Sequence, residues 1–225
     1  MKKYTFILLY LLFTSITIAQ SDFAVGLNGS VNFPTGQFAD FNIGYGGDVH
    51  FLYLLGNSTI FSLAAGYNTF SLDVDRFNER AKELGLNAQF DVDSKFSTIP
   101  ILLGAKWYFL QAKKHNLYIM LEAGLYSYQL SFKGTANIIS PSGNSISINL
   151  PEIDEKGTKT MLKISGGYLY FFAKHWFIDA SAGYIVLTNA FAVNEPVNPE
   201  DPDAIYGVVG TLNYITVQAG INYRF

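Results

Sequence analysis

The sequence contains no cysteine and few charged residues. Without cysteine, the chain has no disulfide scaffold, no thiolate metal site and no cysteine nucleophile. Only 15% of its 225 residues are charged, whereas a typical soluble domain has about 25%. The net charge of −3 provides no basic surface for DNA or RNA, so we expect no nucleic-acid partner. The length suits one domain or one barrel with a sizeable core.

The first nineteen residues have the features of a secretory signal peptide. Two lysines follow the first methionine, and the apolar run at 6–13 is too short to cross a bilayer as a helix. Small residues, Thr17 and Ala19, precede the expected cleavage site. A buried N-terminal helix is the alternative. We therefore predict a signal peptide at 1–19 and an exported domain at 20–225, without the cysteine that a lipid anchor requires.

Long hydrophobic runs are also missing after residue 20. No stretch approaches eighteen consecutive apolar residues, so no transmembrane helix is predicted. Apolar side chains recur instead at every second position, in segments of about ten residues that are long enough to cross the hydrocarbon layer as tilted strands. The eight segments are 23–33, 45–53, 61–67, 99–109, 117–125, 162–172, 176–186 and 215–225.

The connections between these segments alternate between long and short. The short ones are 55–58, 111–116 and 173–175, and the long polar ones are 34–42, 73–95, 133–159 and 189–206. Outer-membrane barrels have short periplasmic turns and longer outer loops. The pattern predicts an all-β fold: an eight-stranded antiparallel up-and-down transmembrane β-barrel with short periplasmic turns and four long extracellular loops. Acids outnumber bases in the long loops, while the short turns contain three lysines.

Each predicted strand has a glycine on its less apolar face. Glycine weakens a strand, but inside a narrow barrel it relieves crowding and allows the sheet to coil. This face also contains the charged residues, whereas the exterior of a soluble barrel rarely has a glycine in every strand. We therefore predict that the glycine face lines the lumen and that the apolar face contacts lipid. The glycines are Gly26, Gly46, Gly66, Gly104, Gly124, Gly167, Gly183 and Gly220.

Aromatic residues concentrate near the short turns, where an interfacial girdle is expected. The last strand ends on an aromatic residue, and it must reach the rim and pair with the first strand because a closed barrel has no edge. Alternate positions back from the terminus are apolar or aromatic. These positions are Phe225, Tyr223, Ile221, Ala219 and Val217.

This ending resembles the C-terminal signature of bacterial outer-membrane barrels, which the barrel assembly machinery reads as an insertion signal. The whole exported chain is similar to the small eight-stranded barrels of Gram-negative outer membranes, of the OmpA/OmpX-like and PorT-like type. That resemblance implies residence in the cell outer membrane, with outer-membrane lipid and the assembly machinery as partners. It implies no single activity, because one fold supports many functions.

The predicted lumen contains both acids and bases. Eight strands leave an interior just wide enough for side chains, and isolated charges there are costly. We expect a structural ion-pair network, in which Lys106 and Glu122 on neighbouring strands are close enough in height to pair; a narrow conducting pore or a proton relay is the alternative. The candidate lumen residues are Asp48, His50, Lys106, Glu122, Lys163, Asp179 and Arg224.

No motif predicts catalysis, a cofactor or a bound metal. Asp48 and His50 share one face of a strand, but no serine partner or second acid accompanies them. His115 and His175 lie in basic turns that are expected to face the periplasm. We therefore predict that the protein is not an enzyme, that it has no catalytic residue and that it needs no cofactor or metal.

The long loops are the better candidates for function. In the loop at 133–159, Ile146, Ile148 and Leu150 alternate after a turn at 141–144, which predicts a hairpin above the membrane, either solvated or open to β-strand addition by a partner. In the loop at 73–95, helical spacing predicts a short surface helix that caps the barrel mouth. The acidic, proline-rich segment at 194–203 lacks the ligand spacing of an EF-hand.

Three functional hypotheses follow. The main one is a structural or surface-interaction role, with a possible protein partner at the extracellular loops. The alternative is a narrow porin-like channel or a transporter of a hydrophobic ligand. The third is a lipid-modifying outer-membrane enzyme, for which the sequence offers the least support.

Overall fold

The computed structural model describes residues 23–36, 39–55, 58–83, 88–139, 145–188 and 212–225. The predicted signal peptide, the turn at 141–144 and the whole of the loop at 189–206 lie outside these ranges. The described residues form nine strands and one helix. These are β1 Phe23–Thr35, β2 Gly44–Leu55, β3 Thr59–Ser71, α1 Val74–Glu83, β4 Ala88–Gln111, β5 His115–Ile139, β6 Ser145–Asn149, β7 Ile153–Phe171, β8 Trp176–Leu187 and β9 Leu212–Arg224.

Eight of the nine strands form a closed antiparallel ring, which confirms the predicted barrel. The order around the ring is β1, β2, β3, β4, β5, β7, β8 and β9. The ring closes where β1 pairs with β9, from Ala24 opposite Arg224 to Thr35 opposite Asn213. The three short turns separate β2 from β3, β4 from β5 and β7 from β8, as the sequence predicts. All three lie at the end of the barrel that contains both described chain ends.

The outer wall of the barrel is a continuous apolar belt. Leu103 is 66% exposed, Ile164 60% and Ile119 55%, whereas Lys106, Glu122, Lys163 and Asp179 on the opposite face are buried. Burial of such a surface in a hydrocarbon layer stabilises the fold, while its exposure to water would not. The predicted assignment of faces is therefore correct. Within the described ranges, no helix is both long and apolar enough to cross a membrane.

The sheet continues past the belt on the extracellular side. Strand β4 has 24 residues, β5 has 25 and β7 has 19, so their outer parts lie beyond the apolar belt. On the outer face of β5, Leu125 is followed by Ser127 and Gln129, which marks the end of the belt. The loops predicted at 73–95 and 133–159 are therefore largely wrong. Outside lipid the outer face can be polar, so the alternation that identifies a membrane strand disappears.

The predicted helix and hairpin are both present in this extracellular part. Helix α1 begins after Asp73, whose side chain accepts a hydrogen bond from the backbone N–H of Arg76 at 3.1 Å. It packs on β4, where the Asn78 side chain bonds both the backbone oxygen of Phe90 (2.9 Å) and its N–H (2.7 Å). Strand β6 pairs with the end of β5, from Thr135 to Ile139. The tip of this hairpin lies outside the described residues.

Two apolar clusters close the interior at different heights. The periplasmic cluster lies beside the short turns and comprises Ala24, Leu52, Ile60, Tyr118, Met120, Leu169 and Phe177. The outer cluster lies towards the extracellular end and comprises Ala64, Phe70, Phe96, Leu102, Tyr126, Tyr128, Met161, Ile185, Leu187, Leu212 and Tyr214. Buried polar and charged side chains occupy the space between the two clusters.

Candidate functional site: the barrel lumen and its rims

Glycine makes room for the polar side chains of the lumen. A Cβ atom on Gly26 of β1 would collide with the imidazole of His50 on one side and with the amide of Asn222 on the other. Since β1 lies between β2 and β9, only a residue without a side chain lets the other two meet across it. His50 Nε2 and Asn222 Oδ1 are 2.5 Å apart in a fully buried contact.

A chain of hydrogen bonds that ends in an ion pair links Asp48 to Glu122 across the lumen. The Asp48 carboxylate accepts bonds from Asn28 Nδ2 at 2.9 Å and from Gln218 Nε2 at 3.0 Å. Gln218 Oε1 in turn accepts a bond from Lys163 Nζ at 2.7 Å. Lys163 Nζ also lies 2.8 Å from Glu122 Oε2, with both side chains less than 10% exposed. The chain therefore connects strands β1, β2, β5, β7 and β9.

A second group joins three strands through Asp179. Lys106 Nζ donates to Asp179 Oδ2 at 2.7 Å, and Tyr118 donates its O–H to Asp179 Oδ1 at 2.6 Å. The ammonium of Lys106 also lies 4.0 Å from the centre of the Tyr118 ring, a cation–π contact. Both carboxylate oxygens and the buried cation are thus satisfied, as a charge in a water-poor interior requires.

Lys106 and Glu122, which the sequence allows to pair, each have a different partner in the structure. In the β4–β5 register, Glu122 lies opposite Gly104 and Lys106 opposite Met120. In the β5–β7 register, Glu122 lies directly opposite Lys163, which becomes its partner. Lys106 reaches across the lumen to Asp179 instead. The number of residues from the turn at 111–116 predicts that Lys106 and Glu122 lie at a similar height along the barrel. It does not predict the stagger between neighbouring strands, which decides the side chains that meet.

Arg224 occupies a different place from the other six predicted lumen residues. It is half-buried and lines a groove of about 550 Å³ at the periplasmic rim, together with Lys113, Lys114 and Lys174. The backbone N–H of Arg224 donates to the oxygen of His175 at 2.7 Å. Arg224 therefore lies at the periplasmic rim and not at the height of the buried ion pairs of the lumen.

Three members of the lumen groups are not among the residues predicted from the sequence: Asn28, Tyr118 and Gln218. All three lie on the glycine face of their strands, so the period-two pattern that places the charged residues inside places them inside as well. A neutral amide or a tyrosine does not require a buried partner as a charge does, so its type alone does not mark it as a network member.

Little open space remains in the lumen. A cavity of about 50 Å³ lies among the two polar groups and the apolar side chains above and below them. A water molecule needs at least about 10–15 Å³ measured in this way. The cavity therefore has room for a few waters, but it is not a pathway between the two rims.

Among the described residues, no group of three or more His, Asp and Glu side chains could hold a metal ion. Asp48 and His50 do approach each other, with 3.2 Å between Asp48 Oδ1 and His50 Nδ1. Their other described polar contacts are with amide side chains rather than with a hydroxyl nucleophile.

At the extracellular rim, the buried outer cluster lies below a strand, β6, with exposed apolar side chains. Tyr128, just above the belt, donates its O–H to Glu155 at 2.6 Å. Burial and this carboxylate raise the pKa of Tyr128 to about 12, so it remains a donor at neutral pH. Further out, Ile146 and Ile148 of β6 are 61% and 47% exposed.

The predicted C-terminal signal forms an ordered rim. The N–H of Phe225 donates to the backbone oxygen of Phe23 at 3.0 Å, so the last residue is held beside the first strand. The Tyr223 ring packs against Trp176, with centroids 5.0 Å apart, and against Phe225 at 5.2 Å. Val217 and Ile221 face outward within the belt.

No protein-family model and no curated protein sequence matches the chain. Among solved structures, a major outer membrane protein from Thermus thermophilus is 13% identical, with 92% of this chain and 100% of that chain covered and a TM-score of 0.52. Neisserial surface protein A is 13% identical over 90% and 97% of the two chains, with a TM-score of 0.49. Ail, the attachment invasion locus protein of Yersinia pestis, is 17% identical over 91% and 97%, with a TM-score of 0.43.

At these identities the likeness concerns the fold. The similarity to the Thermus protein covers almost the whole of both chains, and it agrees with the closed ring and the apolar belt. With its eight-stranded ring, its apolar exterior and its short turns at one rim, the chain has the fold of the small eight-stranded outer-membrane β-barrels.

Proposed function

We propose that this outer-membrane barrel has a structural or surface-interaction role and that its working surface is the extracellular sheet, defined as β6 and the parts of β4, β5 and β7 beyond the belt. The main observation in support is that these strands remain paired far outside the belt. The pairing of β4 with β5 extends as far as Ala88, which lies opposite Ile138. A paired sheet holds its edges and side chains in place, as a binding surface requires.

The edge of β6 is the best candidate for contact with a protein. One edge of β6 pairs with β5, and no strand pairs with its other edge among the described residues. The extracellular edge of β4 is instead protected, because the Asn78 amide occupies the backbone groups of Phe90. An exposed edge flanked by Ile146 and Ile148 suits addition of an extended peptide strand, with backbone bonds giving affinity and apolar side chains giving specificity.

Site-specific photo-crosslinking on intact cells tests this role. A photoreactive residue at position 148 is expected to yield a discrete adduct with a surface or extracellular protein, and Ser147→Pro is expected to abolish it because proline disrupts strand pairing. The matched control position is Lys82, exposed on α1. Equal adducts at positions 148 and 82, or an adduct unaffected by Ser147→Pro, would contradict strand addition at β6.

The channel alternative predicts ion flow, which the closed lumen argues against. Among the described residues, the lumen network and the two apolar clusters surround a central cavity of about 50 Å³. We expect no steady conductance when the purified protein is placed in planar bilayers beside a porin control. Open-channel currents that change in size on replacement of Lys106 or Glu122 would favour the channel over a purely structural lumen.

We also propose that the protein is not a lipid-modifying enzyme. His50 is only 6% exposed and is held by Asp48 and Asn222, so it has no access to a lipid substrate. Incubation of the purified barrel with outer-membrane lipids should leave the lipids unchanged. If the parent protein converts those lipids and the His50→Ala variant does not, this assignment is overturned.

The C-terminal residue is proposed to act as a signal for the barrel assembly machinery. Removal of Phe225 is expected to reduce the folded protein in the outer-membrane fraction, measured as the heat-modifiable band on gels. Phe109→Ala is the matched control, because Phe109 is another exposed aromatic residue at the same rim but lies outside the terminal strand. An equal loss in both variants would indicate that Phe225 acts only through lipid contact.

A further inference from the structure

The periplasmic rim has a marked excess of positive charge. Lys113 and Lys114 in the β4–β5 turn and Lys174 in the β7–β8 turn are all exposed, and they line one groove with Arg224. Among the described residues, no Asp or Glu side chain lies at this rim. We call Lys113, Lys114 and Lys174 the basic rim.

Backbone hydrogen bonds hold the basic rim in place. The N–H of Phe171 donates to the oxygen of Lys114 at 2.9 Å, which ties the end of β7 to the neighbouring turn. The N–H of Ala173 donates to the oxygen of Trp176 at 3.3 Å and closes the β7–β8 turn. The three ammonium groups therefore extend from two adjoining tight turns rather than from long loops.

The basic rim lies directly beside the lipid-facing belt. Phe109 is 66% exposed, Phe172 44% and Trp176 41%, and all three are within a few residues of the lysines. Aromatic side chains at this position mark the boundary of the hydrocarbon layer. A lysine just beyond that boundary can lay its methylene groups against apolar surface and present its ammonium group at the level of the lipid phosphates.

We propose that the basic rim binds the headgroups of anionic phospholipids in the leaflet that faces the periplasm. The acyl chains would lie against the belt beside Phe109 and Phe172, while the phosphates contact the lysines. Both the charge and the position favour a lipid over an acidic polypeptide, since the groove opens where the belt ends. The inference concerns the rim opposite the extracellular sheet, so it stands or falls independently of the proposed surface role.

Tryptophan fluorescence in vesicles tests this inference. The sequence has two tryptophans, so Trp107→Phe leaves Trp176, beside the basic rim, as the reporter. Vesicles of phosphatidylcholine and phosphatidylglycerol are prepared with brominated, quenching acyl chains on one lipid or the other. We expect Trp176 to show a preference of about fivefold or more for the anionic lipid, given the attraction of each lysine to an anionic surface.

The ratio of Trp176 quenching by the anionic lipid to quenching by phosphatidylcholine should fall towards one in the triple variant Lys113→Gln/Lys114→Gln/Lys174→Gln. Lys95→Gln/Lys133→Gln/Lys156→Gln is the matched control, because it removes three extracellular lysines and should leave the preference intact. High salt should weaken the preference in the parent chain, which gives a readout that does not depend on the folding of a variant. Equal quenching by both lipids, or a preference that survives in the first triple variant, would overturn the proposal.

A titration with polyglutamate tests the alternative that the basic rim binds an acidic polypeptide. We titrate the detergent-solubilised parent chain with polyglutamate. We expect no binding that is lost when the three lysines of the basic rim are replaced. If polyglutamate binds through the basic rim while the two lipids quench Trp176 equally, the rim is a docking site for an acidic polypeptide and the lipid proposal is wrong.

Discussion

Lys106→Met is expected to lower the free energy of unfolding of the barrel by about 3–5 kcal/mol, the range measured when one partner of a buried ion pair is removed. The Lys106 and Asp179 side chains are 2% and 7% exposed, and 2.7 Å separates Nζ from Oδ2. Methionine fills similar space but leaves the carboxylate with no cation in a water-poor interior. Denaturant titration of the protein in lipid vesicles measures the loss.

Two further variants distinguish this effect from general damage. In the Lys106→Met/Asp179→Leu double variant both charges are absent, so we expect much of the stability to return, because an apolar pair can replace a buried ion pair at little cost. Lys133→Met removes one partner of the exposed Lys133–Asp93 pair, whose nitrogen–oxygen distance is 3.4 Å, and should change stability by about 0–1 kcal/mol. Similar losses in Lys106→Met and Lys133→Met would show that the lumen pair contributes no special stability.

Gly124→Ala is expected to destabilise the barrel by about 3 kcal/mol or to prevent closure, since overpacking of a tight interior typically costs about 1–3 kcal/mol and sometimes more. The added Cβ atom would collide with the backbone oxygen of Ile101 and lie 2.9 Å from Leu102 Cα on β4. Backbone atoms cannot rotate aside as a side chain can. Relief would require β4 and β5 to separate, and both belong to the closed ring.

Gly29→Ala provides the matched control. Gly29 lies on the outer face of β1, and an added Cβ atom would have no neighbour within 4 Å. The free energy of unfolding of Gly29→Ala should be unchanged or raised by about 0.4–1 kcal/mol, because alanine lowers the conformational entropy of the unfolded chain. The heat-modifiable band on gels and denaturant titration measure both variants. If Gly124→Ala proves as stable as Gly29→Ala, the glycine face is not needed for close packing in the lumen.

The membrane-spanning part of the fold could be predicted because lipid imposes a simple pattern. A residue on the outer face must be apolar, as Leu103 and Ile164 are, and a polar residue such as Glu122 must face the interior. Outside the belt this requirement ends. The outer halves of β4 and β5 have polar residues on both faces in places, so their sequences were interpreted as loops even though the pairing continues to Ala88 and Ile138.

The partners within the lumen could not be predicted in the same way. Asp179 is 73 residues from Lys106 in the chain and belongs to a strand that does not pair with β4, yet the two side chains meet. Asp48 and Gln218, 170 residues apart, meet because ring closure brings β9 beside β1. Such contacts depend on the tilt and stagger of the strands, which alternation along one strand does not encode.

The sequence by itself therefore determined the membrane-spanning parts of the eight ring strands, the face on which their side chains lie and the position of the three short turns. These properties are local: period-two geometry and the demand of lipid for apolar side chains act on each strand separately. Only the tertiary structure decided that Glu122 pairs with Lys163, that Arg224 lies at the rim and that two apolar clusters close the lumen. The reason is that closure of the ring, and not the order of residues along the chain, sets which strands share the interior at each height.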